Sequence, residues 1–140
     1  MIAYFDTSAI VPLLVAEPGT QTAGDIWDRS DRLVSARLAH VEARAALAHA
    51  ARLGRISPQQ LRSSVRELAD LFAQVDIIEA DEDLIGEAGD LAETQGLRAY
   101  DAVHLAAVRR AADVDLVVVA GDRALLTAAE ALGISIAAIR

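Results

Sequence analysis

Apolar runs alternate with amphipathic segments from one end of the chain to the other. Ile2-Ala3-Tyr4-Phe5 predicts a short buried strand, stopped by the polar cluster Asp6-Thr7-Ser8, which suits a helix start. A helix through Leu14 follows, ending near Glu17-Pro18-Gly19, then a second over about Thr20–Asp28 and a strand at Arg32–Ser35. The Ala-rich stretch from Arg37 to Arg52 predicts a helix on propensity, closed by Gly54. Ser57-Pro58-Gln59-Gln60 offers a Ser cap, Pro at the first helical position and Gln three after the cap, opening a helix to about Phe72.

Val75–Ile78 predicts another strand, followed by a helix over Asp81–Thr94 and a turn at Gln95-Gly96. A helix over Tyr100–Ala112 precedes Leu116-Val117-Val118-Val119, the clearest buried strand. Gly121-Asp122 opens a last helix to Leu132, and Ile134–Ile139 is a final strand. Strands alternating with helices imply an α/β fold, a three-layer sandwich around a mostly parallel sheet. No repeat, linker or low-complexity stretch divides residues 1–140, so one domain is expected. In such folds ligands bind beyond the carboxyl ends of the strands.

Composition narrows the chemistry. There is no cysteine, which removes disulfides, thiolate metal sites and a cysteine nucleophile. Every basic residue other than histidine is arginine, and without lysine there is no Schiff-base chemistry and no P-loop. Receiver domains and haloacid-dehalogenase-type phosphatases also place Asp after the first strand, but both need a lysine, and the latter needs Asp-x-Asp where this chain has Asp6-Thr7-Ser8. Net charge is −8, which argues against a general nucleic-acid-binding module yet allows a nuclease charged with divalent metal. No apolar run reaches membrane-spanning length and the N-terminus has no basic leader, so a cytoplasmic location is expected.

Four carboxylates stand out. Asp6 follows the first strand and Asp122 follows the strand at Leu116–Val119, so both belong at the carboxyl edge of the sheet; each also suits a helix N-cap. Glu42 has Leu38, Ala39, Ala45 and Ala46 three and four positions away, so it is expected on the apolar stripe of its helix, where a carboxylate needs compensation. Helical side chains lean toward the N-terminus, which lets Glu42 reach back to the edge that holds Asp6. Asp101 opens its helix, where the helix dipole also favours an acid. One shared site accounts for all four positions. Such a set of hard oxygen donors fits Mg²⁺ or Mn²⁺, which makes a bound water nucleophilic and stabilises charge on a phosphate.

The segments Phe5-Asp6-Thr7-Ser8-Ala9, Val41-Glu42-Ala43, Tyr100-Asp101-Ala102-Val103-His104-Leu105-Ala106 and Gly121-Asp122-Arg123 resemble, in that order, those of PIN-domain nucleases. Within that family the chain looks most like the VapC toxins of bacterial toxin–antitoxin modules. The resemblance implies an α/β/α sandwich and Mg²⁺- or Mn²⁺-dependent endoribonuclease activity. It also implies a homodimer and neutralisation by a small cognate VapB-type antitoxin. By position Asp6, Glu42, Asp101 and Asp122 would be catalytic and metal-binding, with Ser8 supporting the first aspartate. The chain departs from many members at Ala120, where they carry a hydroxyl two residues before the last acid. Alternatives are a PIN-domain RNase or DNase that is no toxin, and a catalytically silent PIN-like binding module.

Arg98, Arg109, Arg110 and Arg123 are candidate RNA phosphate contacts, Arg98 and Arg123 above the others; all also suit solvated helix surface. His40, His49 and His104 show no metal-ligand spacing and are expected to be structural. Ile10, Leu13 and Leu14 are expected to expose an apolar face for a dimer or antitoxin.

Overall fold

A computed structural model describes all residues, Met1–Arg140. Five strands form one sheet: β1 Ile2–Phe5, β2 Arg32–Ala36, β3 Asp76–Ile78, β4 Leu116–Ala120 and β5 Ser135–Ala138. Their order across the sheet is β3-β2-β1-β4-β5, and every neighbouring pair is parallel. Seven helices connect them: α1 Thr7–Leu14, α2 Thr20–Arg29, α3 Leu38–Arg52, α4 Pro58–Phe72, α5 Glu82–Gln95, α6 Ala99–Ala111 and α7 Arg123–Ala131. Each element expected from the sequence is present, with ends moved by a residue or two.

The pleat of β1 builds both faces of the core. Ala3 and Phe5 join Ile10, Ala23, Ala39, Ala43 and Leu68 in a cluster roofed by α1–α4. Tyr4 points the other way, into a larger cluster with Val34, Val118 and the apolar faces of α5, α6 and α7. A strand covered on both sides has to read as a continuous apolar run, as β1 and β4 do. Ile10 is 1% exposed, which corrects its placement on an open apolar face; it is core, and only Leu13 and Leu14 are partly accessible. No helix is long and apolar enough to cross a membrane.

The helix ends follow the local chemistry. Ser57 accepts a hydrogen bond from the Gln60 amide at 3.1 Å, and the Gln60 side chain accepts one from the Ser57 amide at 2.7 Å, a closed capping box. Replacing Ser57 by Ala is expected to cost about 1 kcal/mol, read as a lower urea midpoint with unchanged slope. Gly96 ends α5 in the left-handed region at φ 64°, where a side chain would be strained.

The strand order reverses at β1. The chain steps from β1 to β2 to β3 on one side, then crosses to β4 and β5 on the other. Beyond the carboxyl ends of β1 and β4 the connections diverge, which leaves the crevice where α/β folds bind ligands.

Candidate active site

Asp6 leaves β1 at that crevice. Its amide donates to the Val119 carbonyl of β4 at 3.3 Å, and the Ser35 hydroxyl of β2 donates to the Phe5 carbonyl at 2.6 Å. Asp6 thus starts from a backbone tied to both neighbouring strands. It stands at the N-cap position of α1, yet its side chain makes no cap hydrogen bond. The carboxylate is 4% exposed and accepts from the Ser8 hydroxyl at 2.6 Å. Burial is the main influence on it and pushes its pKa up to about 6; His104 and Ser8 pull it down, and the charge of Asp122 raises it.

Ser8 does more than steady Asp6. Its oxygen accepts the Gly121 amide at 2.8 Å while its proton goes to Asp6. One hydroxyl therefore links the end of β1 to the residue that precedes Asp122. Ala120 removes a hydroxyl from β4, but Ser8 supplies one beside the same turn. Asp122 caps α7: its Oδ1 accepts from the Leu125 amide at 3.1 Å, so the helix-cap reading holds for this acid and fails for Asp6.

Glu42 reaches the crevice from the first turns of α3. The fully buried stripe of that helix is Ala39, Ala43 and Leu47, with Val41 and Ala45 exposed. Glu42 borders the stripe rather than lying on it, and its side chain is 22% exposed. Its Oε1 accepts from the Thr7 hydroxyl at 2.8 Å and from His104 Nε2 at 2.6 Å. His104, 2% exposed, also meets the Tyr4 hydroxyl through Nδ1 at 2.8 Å. Burial alone would lower the His104 pKa, but the Glu42 hydrogen bond and the charges of Asp6, Glu42 and Asp101 raise it. Burial, with Asp6 and Glu42 nearby, raises the Tyr4 phenol well above its usual value, so it stays protonated. With the ring neutral, Tyr4 donates to Nδ1 and Nε2–H donates to Glu42.

Asp101 lies in the first turn of α6, one turn before His104 on the same helix face, and is 7% exposed. Burial raises its pKa, and the charge of Asp122 adds to that; Arg98 and His104 oppose. The Arg98 guanidinium bridges two of the acids, 3.3 Å from Asp101 and 3.4 Å from Asp122. Its side chain is 80% exposed, so this clamp is open to water and easily displaced.

All four carboxylates, with Thr7, Ser8, Arg98 and His104, line one cleft of about 560 Å³. The acids come from the ends of two central strands and the starts of two helices, one on each side of the sheet. No three acidic or histidine side chains are drawn close enough together to cage an ion. The donor set is nonetheless one for a hard cation, and the guanidinium of Arg98 already sits against two of its members.

Other sequence-based expectations fare differently. Arg123 is exposed, begins α7 and does not line the cleft, because the helix turns its side chain away from Asp122. Arg109 and Arg110 sit in the last turn of α6, at the opposite end from Asp101, and Arg110 pairs with Asp81 at 2.7 Å. The cleft includes Arg140, which the sequence did not single out; its guanidinium lies over Gly121. His104 is structural in the sense expected, yet it is also bonded to Glu42 inside the site, and Tyr4 and Thr7 were missed with it.

The fold is of the parallel α/β class, with four carboxylates gathered where the strand order reverses. Residues 3–135 match the PIN domain family, and the chain belongs to it. Among its relatives is Ribonuclease VapC49 of Mycobacterium tuberculosis (strain ATCC 25618 / H37Rv), 41% identical over 136 residues, which covers 97% of this chain and 94% of the relative. The crystal structure of PAE2754 from Pyrobaculum aerophilum is similar, with a TM-score of 0.70, 26% identity and coverage of 97% of this chain and 92% of that one. A chain from a toxin–antitoxin complex of Klebsiella pneumoniae shares the fold, with a TM-score of 0.68 at 14% identity, covering 99% and 98%.

Proposed function

We propose that this protein is a divalent-metal-dependent endoribonuclease that hydrolyses RNA phosphodiesters, acting in the cytoplasm as the toxin of a VapBC-type pair. One observation carries the reading: Asp6, Glu42, Asp101 and Asp122 share a single cleft at the point where the strand order reverses. Likeness to a ribonuclease over nearly the whole chain supports it.

In this reading Asp6, Glu42 and Asp101 hold Mg²⁺ or Mn²⁺, with Asp122 beside them and Arg98 released from its bridge. When bound, the cation makes a water nucleophilic at neutral pH and offsets negative charge on the phosphate. The chain's own residues prepare the site for that. Ser8 holds the Asp6 carboxylate in one orientation, and Thr7 and His104 hold Glu42 through a single oxygen, which leaves the other free. Burial makes Asp6 and Asp101 reluctant anions, and a cation relieves that cost. Arg98, once released, is free to take a phosphate oxygen of the substrate.

The acidic, partly open cleft also suits neutralisation by a small antitoxin that presents a basic side chain to it, and the toxin is expected to act as a homodimer. The test is cleavage of RNA by the purified protein with Mg²⁺, Mn²⁺ or EDTA, alongside Asp101→Asn. Cleavage that needs the metal and falls more than about 100-fold in the variant is expected, since loss of even a ligand's supporting partner costs about 10- to 100-fold. Equal cleavage in EDTA would sink the metal-dependent reading.

A further inference from the structure

From Ala43 to Arg66 the chain carries five arginines and no aspartate or glutamate, in a protein of net charge −8. Arg44 and Arg52 lie on α3, Arg55 in the following turn, Arg62 and Arg66 on α4, and all five are exposed. None takes part in a salt bridge, whereas Arg32, Arg37, Arg98 and Arg110 each pair with a carboxylate. Arg44, Arg62 and Arg66 line one groove of about 320 Å³ between the two helices, over Ala48, Leu61 and Val65. Arg62 and Arg66 are like charges one turn apart, an arrangement that works against the helix. With 21 acidic residues in the chain, the acid-free run from Ala43 to Arg66 concentrates positive potential around the turn between α3 and α4, bounded by Glu42 on α3 and by Glu67 and Asp70 on α4.

We propose that the α3–α4 arginine groove binds the phosphate backbone of RNA flanking the cleft. The identity of the polyanion rests on the ribonuclease reading above; the groove and its charge do not. Two observations connect it to the cleft. Helix α3 presents Glu42 to the cleft and, two residues on and so about half a turn round, Arg44 to the groove. The cleft also continues past Val11, Glu17 and Ala46 into a depression of about 470 Å³ whose lining includes Arg55. A strand leaving the carboxylates along that path comes to Arg55, in the turn that joins α3 to α4. A protein partner fits less well, because the lining holds none of the aromatic or methionine anchors in which protein interfaces are enriched and sets three guanidinium groups over a few small apolar side chains. Guanidinium groups match phosphate oxygens two by two.

The experiment is binding of a fluorescein-labelled oligouridylate of about 20 nucleotides in EDTA, over roughly 50 to 300 mM NaCl, by the parent protein and by the triple variant Arg44→Gln, Arg62→Gln, Arg66→Gln. Each lost phosphate contact removes about 0.7 from the slope of log affinity against log salt, so the triple variant is expected to lose about two units of slope and to bind more than about tenfold weaker at 100 mM. Its circular dichroism and melting should match the parent. An unchanged slope overturns the proposal. So does a parent protein that binds no oligouridylate, or a variant that keeps RNA binding but loses association with a protein partner. Cleavage of a trinucleotide with Mn²⁺ separates the two readings. Both proteins should cleave it equally if both readings hold. Binding that depends on the arginines with no cleavage by either protein would remove the ribonuclease reading and leave the groove standing.

Discussion

Asp6→Asn is expected to raise stability at pH 8 in the absence of divalent metal by up to about 3 kcal/mol while abolishing RNA cleavage. The sign follows from burial. Asp6 is 4% exposed, and its pKa is raised from 3.8 to about 6 in the folded chain. Between those values the folded state binds a proton that the unfolded chain has released. Stability from this group is therefore complete below about pH 4 and is lost as the pH rises through 6. The gap of about two pH units, at 1.36 kcal/mol each, sets the ceiling of about 3 kcal/mol. Asparagine keeps an acceptor for the Ser8 hydroxyl and removes the buried charge. Melting curves at pH 8 and pH 4 give the test: a rise on the order of 10 °C at the first and no gain at the second. Magnesium should reverse the ranking at pH 8, stabilising the parent and not the variant. A variant less stable than the parent at pH 8 would make Asp6 a structural acid whose charge the fold needs.

Much of this site was legible because the carboxylates hang on local features. Asp6 and Asp122 each end an apolar run, and in a parallel sheet that position has one meaning: the carboxyl edge. The strand reversal that brings those two ends together is topological: alternating strands and helices imply a parallel sheet but leave its order, here β3-β2-β1-β4-β5, open. Glu42 was found for a reason that needed correction. Alanine at Ala45 reads as apolar in a sequence but is exposed in α3, so the stripe is narrower than the pattern and Glu42 lies at its border. Alanine marks burial weakly because it suits any helix position.

The parts that were not legible depend on distance along the chain. His104 sits among apolar residues and is buried, as expected, but its partners Tyr4 and Glu42 lie 100 and 62 residues away. No local spacing reports them. The one available sign was that His104 follows Asp101 by three positions, which puts both on one helix face. Adjacency misled at Arg123, where the first turn of α7 directs the side chain to solvent. The arginine-rich hairpin was missed because each arginine alone suits helix surface; only the acid-free run from Ala43 to Arg66, and the packing of α4 on α3, makes them a group.

His104→Leu is expected to destabilise the protein by about 2 to 4 kcal/mol at pH 6, since leucine fills most of the space but satisfies neither partner. The buried Tyr4 hydroxyl loses its hydrogen-bond partner, and Glu42 keeps only Thr7. The pH dependence separates the electrostatic part from packing. Burial opposes protonation of the ring, yet the Glu42 hydrogen bond and the charges of Asp6, Glu42 and Asp101 outweigh it and raise the folded pKa. That contribution is complete below the unfolded value of 6.5 and fades as pH rises through the folded one. The difference between parent and variant in urea unfolding should therefore be larger at pH 6 than at pH 9. An equal difference at both would mean that the ring acts only as a neutral link. A second consequence runs through Asp6, whose pKa the His104 charge lowers. Without the imidazole, Asp6 should titrate still higher, so the variant should need more alkaline conditions to bind Mg²⁺. In the proposed site His104 therefore favours the ionised forms of Asp6 and Asp101, so that a cation meets carboxylates and not carboxylic acids.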